Sequence, residues 1–224
     1  MMNIFSIFDP STSVILSLNW LSMLFIFIIF PFQFWFIPSR IFFFINSIIN
    51  FLFLEFKILL NFSLSNLLIF LNLFLFILSN NFMGLFPYIF TASSHMNFCL
   101  TLSLTLWISI MLFGWMNFTN HMFTHLTPLN TPILLMPFMV LIESISQIIR
   151  PITLSIRLTA NMIAGHLLLS LLGSSGNNQS INLFILLLLI FTQILLYILE
   201  ISVSFIQAYV FSILSLLYSS EIYE

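Results

Sequence analysis

From Asn182 to Leu217 the chain carries one acidic or basic side chain, Glu200, in a run dominated by Leu, Ile and Phe. A helix made from such a run has no continuous polar face to turn toward water. The chain as a whole shares this character. Of its 224 residues 61% are hydrophobic and 4% are charged, whereas a soluble domain carries about 25% charged residues to wet its surface. Mean hydropathy is +1.20, so lipid is the solvent for most of the length. The net charge of −2 provides no attraction for nucleic acid or for an acidic substrate. Cys99 is the only cysteine, and one cysteine forms neither an intrachain disulfide nor an iron–sulfur cluster.

The pattern predicts an all-α integral membrane protein, a single membrane domain over 1–224. It has about five spans plus an interfacial helix, and its last two spans are long tilted helices in a hairpin. The first span covers 14–37, and Pro38-Ser39-Arg40 stops it. Arg40 is the first basic residue, which places that end on the inner side. Over 40–66 Asn46, Asn50, Glu55, Lys57, Asn61, Ser63 and Asn66 interrupt the apolar residues, as in a helix lying along the membrane surface. Glu55 and Lys57 do not face each other on a helix, and both heads are expected to reach water. Two spans occupy 67–118. The earlier one bends at Asn80–Pro87, where Gly84 and Pro87 end the helical pattern. A polar turn, Thr91–His95, precedes the later one, and a loop over Thr119–Pro132 follows it.

The hairpin occupies 133–217. Its arms, Ile133–Leu172 and Asn182–Leu217, meet at Gly173-Ser174-Ser175-Gly176-Asn177-Asn178. As continuous helices they would be roughly 60 and 54 Å long, against a hydrocarbon core about 30 Å thick. Pro137 and Pro151 permit a bend in the first arm. The second has neither proline nor glycine, so a tilt of about 55–60°, far above the usual ~20°, is the better expectation there.

Glu143, Arg150, Arg157, His166 and Glu200 lie inside these arms. A charge near the middle of a spanning helix costs about 2.5–3.5 kcal/mol on insertion scales, so each marks a candidate functional site. Glu143, Arg150 and Arg157 recur every seven residues and share a face. Asn161 is one turn beyond Arg157, and Ala160 and Ala164 make the surrounding face small enough for another helix to approach. His166 points to the opposite side of the helix from Arg157. In the second arm Gln193, Glu200 and Gln207 also recur every seven residues, either as glue between helices or as a polar path. A hairpin can bring Glu200 and His166 together, and a carboxylate and an imidazole exchange protons near neutral pH. Arg150, beside Pro151, reads equally as an interfacial anchor. His95, His121 and His125 fall in expected loops and read as solvated. The four-residue spacing of His121 and His125 is a weak metal signal in that context, and no metal or cofactor is assigned.

The run Arg157-Leu158-Thr159-Ala160-Asn161-Met162-Ile163-Ala164-Gly165-His166-Leu167-Leu168 resembles the arginine-bearing helix of F-type ATP synthase subunit a. Leu141–Gln147 with Arg150-Pro151, Asn81–Tyr88 and Thr131–Phe138 are similar to the mitochondrial branch of that family, and Glu200 with Gln207–Phe211 resembles its last helix. The resemblance covers most of the chain from Asn80 onward. It implies a multi-pass protein of the mitochondrial inner membrane with no catalytic nucleotide site. Its partners would be a c-ring, peripheral-stalk and other membrane subunits, the lipid bilayer and protons. It also implies two half-channels that do not meet, with Arg157 between them. His166 and Glu200 would lie on the intake side, Asn161 and Gln207 near the ring contact, and Glu143 toward the matrix exit. Met1–Ser13 shows no basic import signal, which fits synthesis inside the organelle.

Two rival classes make different demands. A haem-binding redox subunit needs histidine pairs facing each other within spans, and only His166 lies well inside one; a quinone-reactive subunit is not excluded by composition. A passive anchor has no need of Arg157, Glu200 and His166 within spans.

Overall fold

The computed structural model describes residues 4–13, 16–24, 33–60, 64–127, 132–176 and 183–223. Its α-helices are α1 (Arg40–Leu59), α2 (Leu64–Gly84), α3 (Met96–Asn117), α4 (Thr119–His125), α5 (Met136–Ser175) and α6 (Leu183–Tyr223). Short 3-10 turns cover Ile4–Phe8, Leu18–Leu24, Ala92–Ser94 and Ile133–Leu135, and no strand occurs among the described residues. Five helices, all but α4, are long and apolar enough to cross a membrane.

The expected first span, 14–37, lies partly outside the described residues; within it Leu18–Leu24 is a 3-10 helix. Ser39 caps α1 by accepting the Phe42 N–H at 3.3 Å, and Lys57 in the last turn suits the negative end of the helix dipole. By length and composition α1 also suits a crossing. Lys57 is exposed. Glu55 is half-buried and accepts a hydrogen bond from the Tyr209 hydroxyl of α6 at 3.1 Å, a contact open to solvent.

The apolar side chains of α2 point in nearly every direction, which suits a helix at the centre of a bundle. Leu67, Phe70, Leu71, Leu73, Phe74 and Ile77 are all buried. It packs chiefly on α6, where Ala208 and Phe211 join Leu73, Phe74 and Ile77 in one core cluster and Leu216 joins Leu67, Phe70 and Leu71 in another. The seam on α6 is small: Ser204, Ala208, Ser212, Ser215 and Ser219 are buried. Each serine hydroxyl there donates to a carbonyl one turn back in its own helix. The seam therefore presents satisfied polar groups and low relief, allowing close helix approach.

Helix α2 continues through Asn80–Met83 and stops at Gly84, one of the two residues expected to end it. A Cβ on Gly84 would lie 2.9 Å from Thr91 Cγ2, so the returning chain passes too close for a side chain there. Tyr88 then turns the backbone at φ 68°. The expected loop after α3 begins as the helix α4, with Met122 as its buried anchor.

The hairpin arms α5 and α6 are 40 and 41 residues long, about 60 Å each and twice the thickness of a bilayer core. Pro137 sits in the first turn of α5, where its missing N–H costs no hydrogen bond. Pro151 is buried inside α5, and the helix continues through it.

Candidate functional site

Glu200 is 8% exposed, and neither carboxyl oxygen has a hydrogen-bond partner among the described residues. The side chain is packed against α5 at Gly165, where an added Cβ would come within 2.8 Å of Oε1 and 2.9 Å of Cδ. Only glycine gives the carboxyl that room. His166 follows Gly165 in sequence, so the hairpin does bring the expected carboxylate and imidazole to the same level of the bundle. The Nε2 of His166 is buried without a partner among the described residues.

A cavity of about 930 Å³ opens beside His166. Ser170 of α5, Gln193 and Tyr197 of α6, and the turn after α2 contribute to its walls, and the N-terminal segment closes another side. Gln193 of the polar stripe lines the cavity, as does Tyr197, one turn before Glu200 on α6; Glu200 itself is not among the lining residues.

Arg157 faces the other way. It is exposed and makes no ion pair or hydrogen bond among the described residues. Thr153, Ala160, Ala164 and Leu168 are exposed on the same side of α5, a stripe low enough for another helix to lie close to the guanidinium. Asn161 and Gln207 are half-buried and form no side-chain hydrogen bond to another described residue.

Arg150 has a different environment, although its chemistry is the same. Its Nη1 donates to Glu221 Oε2 at 2.9 Å and its Nη2 to Glu143 Oε1 at 3.4 Å. The guanidinium carbon lies 4.9 Å from the centre of the Tyr218 ring. The N-terminal half of α5 is thus tied to the end of α6, with Arg150 as the cation of an ion cluster. Sequence reasoning missed Glu221. The signal was present, because Glu221 continues the seven-residue spacing of Gln193, Glu200 and Gln207, with Leu214 at the intervening step.

A second missed feature is a buried polar group where α2 meets the turn before α3. Asn81 is fully buried, and its amide atoms, Asn80 Nδ2 and Ser93 Oγ have no partners among the described residues. His95, expected to be solvated, is half-buried between Trp20 and Phe90, each with its ring centre 5.1 Å away. His121 is likewise half-buried, while His125 is exposed. Their rings lie 6.2 Å apart on α4, and no cluster of three metal-binding groups occurs among the described residues.

The described residues form a bundle of helices suited to lipid, with an exposed arginine that has no partner among them on one side of α5 and a buried carboxyl packed on the same helix at Gly165, which is the build of a membrane protein with ionisable groups inside its spans. The comparisons narrow the class. The family model for the ATP synthase A chain matches residues 13–220. The chain is 57% identical to ATP synthase subunit a of Locusta migratoria over 100% of both chains. It is 56% identical to that of Drosophila yakuba and 55% to that of Anopheles quadrimaculatus, over 99% of each chain. The chain belongs to the ATP synthase subunit a family, the proton-channel stator subunit of F-type ATP synthase. It is a multi-pass protein of the mitochondrial inner membrane and part of the synthase complex. Membership sets aside the redox-subunit and passive-anchor alternatives.

Proposed function

We propose that this chain conducts protons to and from a c-ring through two half-channels that Arg157 keeps apart. Nucleotide chemistry is left to other subunits. The observation that carries the reading is Arg157 itself: a guanidinium on an exposed stripe of small residues, with no counter-charge among the described residues. A charge left that way in a membrane helix calls for a partner on another chain.

A proton from the intermembrane space enters the cavity beside His166 and passes by way of His166 and Glu200 to a ring carboxylate. That carboxylate becomes a neutral acid and can face lipid. After rotation the acid reaches the far side of Arg157, whose positive field favours its ionised form. The proton leaves toward the matrix past Glu143. Arg157 also repels a proton moving directly between the half-channels. Asn161, one turn away, and Gln207 on α6 offer hydrogen bonds near the ring contact. Guanidinium stays protonated where a desolvated ammonium can lose its proton, and it forks between two acceptors.

The test is ATP-driven proton pumping in inverted membranes, with assembly followed by immunoblot. Arg157→Ala and Arg157→Lys are expected to assemble and to abolish pumping. Normal pumping by an assembled Arg157→Ala complex would overturn the reading.

A further inference from the structure

The cavity beside His166 has one wall that the hairpin does not build. Ser6, Asp9, Ser11 and Asn19 line it from the N-terminal segment. Asp9 is the only carboxylate among its described lining residues, which include no lysine or arginine. The remaining titratable groups facing it are His166 from α5, Tyr197 from α6 and Tyr88 from the turn after α2.

Asp9 is held in place. Ser11 donates to its Oδ1 from the backbone N–H at 3.1 Å and from the hydroxyl at 2.8 Å. The Asn19 amide donates to the Asp9 carbonyl at 3.2 Å. Phe8, the preceding residue, sets its ring edge-on to the His166 imidazole at 6.4 Å. Asp9 and His166 thus line one cavity, and the residue before Asp9 touches the imidazole.

We infer that Asp9 is a proton-collecting site, a fixed negative charge on the exposed wall of the cavity that raises the supply of protons to His166. The inference rests on the intake role proposed above for His166 and Glu200. Protons are scarce at neutral pH, and a low-dielectric cleft that carries one sign of charge concentrates the opposite charge. The two hydrogen bonds from Ser11 hold the Asp9 carboxyl below the usual carboxylate range. It thus stays ionised through the physiological range and acts by its field, without itself carrying the proton. A single solvated charge is expected to raise supply about two- to fivefold, below the roughly tenfold lower bound for clefts lined by many charges.

The test uses the whole synthase in liposomes, with proton-driven ATP synthesis measured as pH on the cavity side varies at constant total driving force. Asp9→Asn keeps the oxygen that Ser11 binds and removes the charge. At pH 8 and low salt it is expected to lower the initial rate about two- to fivefold. The difference should close at pH 6, where protons are plentiful, and at high salt, where the screening length falls to about 3 Å at 1 M. Asp9→Glu should keep the native rate. Equal rates for Asp9→Asn and native protein at pH 8 and low salt would overturn the proposal. So would an equal loss at every pH and salt, which marks a structural role. Glu200→Gln is run in parallel. If it loses flux while Asp9→Asn is unaffected, only the collecting site fails; if it keeps full flux, the underlying intake reading fails.

Discussion

At the scale of single residues, the contact between Gly165 and Glu200 is the most exacting in the hairpin. A methyl on Gly165 has no place unless the carboxyl moves. Overpacking of this kind costs about 1–3 kcal/mol, and a displacement near 1 Å at a reacting group costs on the order of 10²-fold in rate. Gly165→Ala is therefore expected to assemble and to lose at least about tenfold in proton flux. Glu200→Asp withdraws the carboxyl by one methylene, so Gly165→Ala should cost less in that background. A double-mutant cycle on flux measures the coupling, and strict additivity would show that the two side chains do not compete for the space. Glu200→Gln keeps the shape and removes titration. Its flux should fall about a hundredfold or more, the scale lost with a proton-transfer group, while immunoblots show normal assembly. Arg157, Glu200 and His166 were picked out as candidates because an ionisable group within an apolar run is conspicuous wherever the chain folds. Gly165 was not, because a glycine in a helix reads only as a propensity penalty. What it faces depends on the register of another helix.

At the scale of elements, the two long helices are joined at both ends: by their connecting loop and by Arg150 with Glu143 and Glu221. These ion pairs are partly open to solvent, which limits each to about 1 kcal/mol or less. Arg150→Ala leaves two carboxylates near each other without their shared cation. The complex should melt at a lower temperature, and Glu143→Gln should restore part of the loss by removing the repulsion. Failure of Glu143→Gln to restore any of it would show that Arg150 acts mainly through its stacking on Tyr218. The length of α5 and α6 carries a separate expectation. Polarised infrared spectra of oriented membranes should show both helices inclined by about 60° to the bilayer normal, well beyond the usual ~20°; upright helices would contradict it. The arms were expected at 133–172 and 182–217, close to the observed Met136–Ser175 and Leu183–Tyr223, because the polar run of glycine, serine and asparagine after Leu172 interrupts an otherwise continuous apolar pattern. Helix α4 escaped notice because seven residues with one buried anchor, Met122, leave no periodicity to read.

At the scale of the whole molecule, the sequence pattern carried the fold class and the hairpin, and it left open what wraps around them. The N-terminal segment reaches across to Phe90, whose carbonyl accepts the Ser22 hydroxyl at 3.1 Å, and to His166 through Phe8. Those contacts join residues far apart in sequence, and no local period announces them; the burial of His95 went unseen for the same reason. The bundle is also incomplete in one respect. Its outward arginine has no counter-charge among the described residues, and an arginine at mid-helix adds about 2.5–3.5 kcal/mol to the cost of residing in lipid. A newly made copy waiting for its neighbour is thus an orphan charge in the bilayer, open to the proteases that clear unassembled membrane proteins. In pulse-labelled mitochondria that lack the ring, the native chain is expected to disappear faster than the same chain carrying Arg157→Leu. Equal lifetimes would mean that surveillance reads some other feature. The side chain that the assembled machine can least spare is, on this account, the one that makes the solitary chain short-lived.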